Sequence, residues 1–362
     1  MYTKIPSILK EKSVLYAITN FVGLYIFISN IRLSDFELYY FILLHIFILF
    51  SLFIGLFLKP AYRKIADITT IPFMILAFFN LNIFLIPIAI LLGLNVPISL
   101  VEVMNSIEFE KRGFKSSIVL FTIYLVVIAL SFFITNLHNA ILILIMLKLL
   151  SFIFEIKKDK SEIGDFVKSK LIMKLSFLAL WFIFTFIDAF STKILIFLEE
   201  APLTFHNLVM LFALIFIIIA GFCIDYYGRK TVLLISYAYL GIVYAIVSIT
   251  KIISIIILEG IVWGSLTLLF LMVIWGDICS IKERNIFVTL SIIIVLINRL
   301  IVTFIPIITI ELQQLFSFIS LFLFISAFII LLIPETLPEN VRRKRELSSY
   351  IKKVKKIKEK YG

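Results

Sequence analysis

Gly221-Phe-Cys-Ile-Asp225-Tyr-Tyr-Gly228-Arg229-Lys230 is a polar stretch wedged between two long apolar runs. A charge at mid-membrane costs about 2.5–3.5 kcal/mol on insertion scales. These ten residues are therefore expected to form a tight loop at a membrane face. Upstream, Gly55-Leu-Phe-Leu-Lys59-Pro-Ala-Tyr62-Arg63-Lys64 repeats the Gly, Arg and Lys at the same spacing. Two copies in equivalent places imply an internally repeated membrane protein.

Composition agrees with that reading. Hydrophobic residues make up 62% of the 362-residue chain and charged residues 16%. The mean hydropathy is +1.14. Such a chain cannot clothe itself in water-compatible surface, so it is an integral membrane protein. A hydrocarbon core of about 30 Å needs roughly 20 apolar residues per helix. Twelve segments qualify: 14–30, 37–58, 65–79, 81–103, 118–135, 139–155, 171–197, 207–224, 231–250, 252–276, 286–309 and 312–333.

With the amino terminus inside, the cytoplasmic segments hold 29 of the 34 basic residues. The exterior receives Arg32, Lys193 and Lys251, while Lys148 and Arg299 fall within spans. This asymmetry sets the orientation, with both termini cytoplasmic. The net charge of +11 then implies contact with anionic lipid headgroups rather than nucleic acid. Lys4, Lys10 and Lys12 precede an apolar run with no small-residue cleavage site, which reads as a retained first helix. Cys223 and Cys279 lie near cytoplasmic helix ends, where thiols stay reduced, so a disulfide is not expected.

The pattern G-x-x-x-D-x-x-G-R-K resembles the loop motif of the major facilitator superfamily of secondary transporters. The element Asp277-Ile-Cys-Ser280-Ile-Lys282-Glu283-Arg284-Asn285 is similar to the E-I-x-P-x-x-x-R-G element of its sugar-porter branch. In the first half Arg112-Gly113 matches the end of that element, and Asn105 stands where its acid would be. Pro334-Glu335-Thr336 resembles the P-E-T that often closes sugar porters. The resemblance implies an all-α fold of twelve transmembrane helices in two pseudo-symmetric six-helix bundles. These would cover residues 1–156 and 171–334, with a cytoplasmic linker at 157–170 and a basic tail at 335–362.

Departures from the pattern are plain. Lys59 replaces the acid and Tyr62 the second glycine of the first copy, and only 12 glycines occur in the chain. The first-half loop is therefore expected to be weaker or differently made.

The resemblance also assigns a gating role to Gly221, Asp225, Gly228, Arg229, Lys230, Asp277, Arg284, Gly55, Arg63, Lys64 and Arg112. Gly221 would let helices pack backbone to backbone, and Gly228 would permit a turn that a side chain disfavours. Asp225 would accept hydrogen bonds at a neighbouring helix N-terminus. Arg229 would bridge Asp225 or Asp277, with Arg284 joining the same network. The alternative is a generic Gly-Arg-Lys turn that anchors a helix to lipid.

Three ionisable residues lie inside spans on helices that line the family's central cavity: Asp188, Glu259 and Arg299. Helix rise puts Asp188 and Arg299 roughly 20 Å from the cytoplasmic end and Glu259 about 10 Å from the outer end, one level of the core. One arginine between two carboxylates is a candidate substrate or proton site; the other reading is a structural ion pair.

Other residues carry blander readings. Lys148 snorkels or pairs with a neighbour. His45 is a packing histidine. Trp181, Trp263 and Trp275 are packing or belt residues, with sugar stacking as the alternative. Asp67 and Glu102 cap helix ends or pair with Arg63 and Arg112. The tail from Arg342 to Lys360 forms either a basic amphipathic helix on the inner leaflet or a solvated extension.

No G-x-x-x-x-G-K-[ST] loop, no metal-spaced His/Cys set and no nucleophile motif occurs, so neither a cofactor, a metal nor an enzymatic reaction is expected. The expected function is secondary active transport of a small polar metabolite, a sugar or an organic acid, across the plasma membrane. Protons are the expected coupling ion. The alternative is a non-transporting membrane scaffold or sensor with the same fold.

Overall fold

The computed structural model describes residues 12–33, 38–57, 60–79, 82–134, 136–153, 169–197, 203–305 and 311–337, with residues 341, 343, 347, 350, 351, 354, 357 and 359 of the tail. Among the described residues there are helices and no strand. Among the described residues up to Leu337, twelve helical rods follow one another: α1 (Lys12–Leu33), α2 (Leu38–Gly55), α3 (Pro60–Phe78), α4 (Leu85–Ser106), α5 (Arg112–Ser131), α6 (Leu137–Ile153), α7 (Leu171–Phe197), α8 (Leu203–Tyr227), α9 (Arg229–Thr250), α10 (Ile253–Ile278), α11 (Ile281–Phe304) and α12 (Leu312–Leu332). Each lies where an apolar run placed it. Eight of them are long and apolar enough to cross a membrane; α1, α2, α3 and α6 carry shorter apolar stretches. The chain is a multi-pass membrane protein.

A sequence so rich in Ile and Phe has strand propensity on paper. Hydrocarbon overrides it, because only a helix satisfies every backbone group within its own segment. The large apolar side chains left outside, such as Phe132 and Leu332, are what a lipid-facing surface requires.

Several boundaries differ from expectation, and the differences build the site. The ten-residue polar stretch is not a loop. Gly221 to Tyr227 continues α8, and Arg229 and Lys230 already belong to α9, leaving Gly228 as the single break. Gly221 is carried inside α8 by its close packing on Gly113 and Ser117, and Gly228 itself takes φ +100°, a conformation open to glycine. Helix α5 begins at Arg112 rather than 118, and α3 begins at Pro60 rather than 65. Both extend past the apolar run because polar residues continue a helix in the interface. Helix α10 is irregular: a 3-10 stretch at Ile253–Leu258 and a π turn at Leu269–Val273 interrupt it.

Helix α1 packs on α4, α5 and α6, α3 on α4 and α6, and α2 on α4. Helix α7 packs on α11, α8 and α9 on α10, and α9 on α12. Across these two groups α5 meets α8, while α11 meets α2 and α4.

Candidate functional site

The meeting of α5 with α8 is a backbone-to-backbone crossing. A Cβ added to Gly221 would lie 2.3 Å from Ser117 Oγ and 2.9 Å from the Gly113 carbonyl oxygen. That contact carries Asp225, one turn along α8, to the start of α5. Its carboxylate accepts hydrogen bonds from the backbone N–H of Gly113 at 3.0 Å and of Phe114 at 2.8 Å. First-turn amides have no partner within their own helix, and the helix dipole favours an anion there.

The same crossing delivers Arg112, the first residue of α5, to Asp277 near the end of α10, with Nη1 donating at 2.6 Å. Arg229 Nε donates to the other carboxylate oxygen at 2.9 Å and lies 3.6 Å from Asp225. Asp277 is wholly buried and the two arginines nearly so. One carboxylate thus holds two guanidiniums, one from each group of helices. Arg112–Asp277 is the one ion pair between the two groups among the described residues. Arg112 accordingly pairs across the interface.

Arg284 of α11 extends the network, donating to Asn105 Oδ1 at 2.6 Å and to the Gly276 carbonyl at 2.8 Å. Asn105, which replaces an expected acid, therefore serves as a neutral acceptor for it. Behind the network Cys279 is fully buried, and burial pushes its thiol up to about 12.

Glu335, just past α12, was noted only as part of a terminal motif. Its carboxylate accepts from the backbone N–H groups of Arg229 and Lys230, both at 3.1 Å, and so caps α9. Lys230 Nζ donates to the Leu331 carbonyl at 2.6 Å. In the upstream copy, Gly55 presses against α4, where a Cβ would lie 2.8 Å from the Leu94 carbonyl oxygen. The side chains of Lys59, Tyr62, Arg63 and Lys64 lie outside the described residues.

Asp188, Glu259 and Arg299 lie about 26–29 Å along α7, α10 and α11 from the network's end, by helix rise. Trp263 Nε1 donates to Asp188 at 2.5 Å, and Tyr244 donates to Glu259 at 3.2 Å. The two carboxylates lie within electrostatic reach of each other. Glu259 is buried, whereas Asp188 and Arg299 are half-buried. No direct ion pair from Arg299 to either carboxylate occurs among the described residues. Tyr124 of α5 lies within electrostatic reach of both Asp188 and Arg299. Trp263 therefore does more than pack, although it also meets Trp181 and Phe184 edge to face. Trp181 and Trp275 tie α7 and α10 to α11 through Ser291. His45 bonds the Phe41 carbonyl within its own helix.

A second charged centre was missed. Asp67 lies inside α3, not at its start, and pairs with Lys148 of α6 at 2.5 Å. Lys148 also donates to Asn20 at 2.7 Å, while Tyr16 and Asn95 each donate to Asp67 at 2.8 Å. All five side chains are buried. Lys148 does not snorkel. It closes a polar knot among α1, α3, α4 and α6. A mid-span lysine together with an acid two turns into α3 was the available signal.

No family profile and no curated protein matches the sequence. Solved structures do match in shape. A proton:xylose symporter, XylE, bound to 6-bromo-6-deoxy-D-glucose aligns with TM-score 0.66 at 12% identity, covering 92% of this chain and 97% of that one. The human organic anion transporter MFSD10 aligns with TM-score 0.61 at 9% identity, covering 90% and 99%. A bacterial homologue of the iron transporter ferroportin, in an outward-facing state, aligns with TM-score 0.59 at 14% identity, covering 90% and 98%. Identities this low speak to architecture alone. With the α5–α8 crossing, the shared carboxylate and near-complete overlap on these structures, the chain has the major facilitator superfamily fold.

Proposed function

We propose that this protein is a secondary active transporter that moves a small polar metabolite, a sugar or an organic acid, by alternating access. Residues 1–156 and 171–334 form the two moving halves, joined by the 157–170 linker, with twelve transmembrane spans and both termini in the cytoplasm of a plasma-membrane protein. One observation carries the reading. The two helix groups are tied at one end through Asp277 and Asp225, while Asp188 and Glu259 sit within reach of each other deep along their helices. A charged latch at one end and ionisable groups at membrane depth are the parts that a rocking carrier needs.

In this mechanism Asp277 and Asp225 hold the cytoplasmic side shut, and separating α5 from α8 and α10 opens it. Asp188 or Glu259 takes the coupling proton. Arg299, which forms no direct ion pair with a carboxylate among the described residues, is available to a substrate anion or hydroxyl. The sugar derivative named for one structural neighbour and the organic anions named for another mark the two substrate classes to try first. Lipids surround the protein, and protons are the coupling ion.

Purified protein in proteoliposomes, offered labelled sugars and organic acids with and without an inward pH gradient, tests the proposal. Gradient-stimulated uptake that Glu259→Gln uncouples is the expected result. Uptake no faster than into protein-free liposomes across both classes would sink it.

A further inference from the structure

The described tail residues Val341, Arg343, Leu347, Tyr350, Ile351, Val354, Ile357 and Glu359 are all helical. At 100° per residue, Leu347, Tyr350, Ile351, Val354 and Ile357 fall within an arc of about 120°. All five are exposed, from 45% at Val354 to 67% at Tyr350. An isolated helix in water gains nothing from such a stripe, and the bundle does not cover it.

The start of the tail, in contrast, is fastened. Leu337 and Val341 are buried, and Glu335 caps α9 beside the latch. The helix therefore leaves the bundle at the latch end, beside any membrane that surrounds the spans. Residues 335–362 hold ten Lys and Arg against four Glu. On a 100° wheel drawn from the sequence alone, most of the basic positions fall outside the apolar arc.

We propose that this tail is a lipid-surface anchor whose apolar stripe enters an anionic phospholipid headgroup layer while its flanking lysines and arginines bind the headgroups. Buried apolar area and attraction to anionic lipid add together in such helices. A helix running from Val341 to Ile357 would cover about 24 Å of membrane surface. Anchoring beside Glu335 makes lipid charge a lever on the α9 end of the latch. This inference rests on the chain being membrane-embedded and not on its being a transporter.

The test uses full-length protein in nanodiscs of phosphatidylcholine alone or of phosphatidylcholine mixed with anionic phosphatidylglycerol as the probe. Hydrogen exchange of the tail amides is read by mass spectrometry. Anionic discs should slow exchange about tenfold relative to neutral discs, the factor that roughly 1.4 kcal/mol of docking confers. High salt or the pair Ile351→Asp and Val354→Asp should abolish that difference, with the melting temperature of the bundle unchanged. Rapid exchange in both discs would mean a solvated tail and overturn the proposal. Equal protection in both discs would overturn it too, because the stripe would then be covered by the protein itself. Since both faces of a nanodisc carry the same lipids, a wrong orientation leaves the result unaffected, and a failed uptake assay leaves it standing.

Discussion

Replacing Asp277 by Asn removes the anion that Arg112 and Arg229 share. Their side chains are 2% and 1% exposed, so the charges left behind are screened very little by water. Removing one partner of a buried ion pair costs about 3–5 kcal/mol. Under the proposed rocking, part of that strain is relieved when the halves separate here and return Arg112 to water. At 1.4 kcal/mol per factor of ten, a 3 kcal/mol bias moves the closed–open equilibrium roughly a hundredfold. Cys279 reports on it directly. Its buried thiol is held up to about 12 in the closed form, against about 8.5 for a free thiol. Maleimide labelling of Cys279 at pH 7.5 should therefore accelerate by about that hundredfold. Labelling of the half-exposed Cys223 serves as internal reference. The sign with pH follows from the raised value. The closed form's preference for the neutral thiol is present in full below about pH 8.5 and fades as pH climbs towards 12. Wild-type labelling should accordingly keep rising where an ordinary thiol has levelled off. A Cys279 rate unchanged by Asp277→Asn, in protein that melts normally, would refute the latch. The conservative Asp277→Glu should keep Cys279 protected.

Asp225→Asn weakens two charge-assisted bonds to the start of α5, each worth about 1.5–3 kcal/mol. Uptake should slow while expression yield stays close to wild type. Lys148→Met alone and Asp67→Leu alone should each lower the melting temperature in detergent, whereas the double variant should recover most of the loss, because a lone buried charge is the costly state. A double variant less stable than both singles would show that the polar knot itself, not charge balance, supports the bundle. A reporter fused after Gly362 should read the cytoplasm; an external reading would require an odd number of spans.

Much of the architecture was legible in the linear chain. Whether some twenty residues prefer hydrocarbon is a local property, so runs of Phe and Ile marked an all-helical membrane chain, and eight of the helices are long and apolar enough to span. The motif residues were legible as well, since Gly221, Asp225, Arg229, Asp277, Arg284 and Arg112 meet at one end. Their pairings were less so. Arg112 and Asp277 stand 165 residues apart, and only the crossing of α5 over α8 brings them together. Asp67 read as a helix cap or a partner of Arg63, and Lys148 as snorkelling or paired with a neighbour. Each became half of a buried pair because α3 starts at Pro60 and faces α6. Arg299 read as pairing with a carboxylate directly or through one water, and the sequence did not show that Trp263 and Tyr244 also donate to the two acids. Helix formation in lipid is decided within one segment, by backbone groups that must bond to their own helix. The partner of a buried charge is decided by which helix faces meet, and no single segment contains that information.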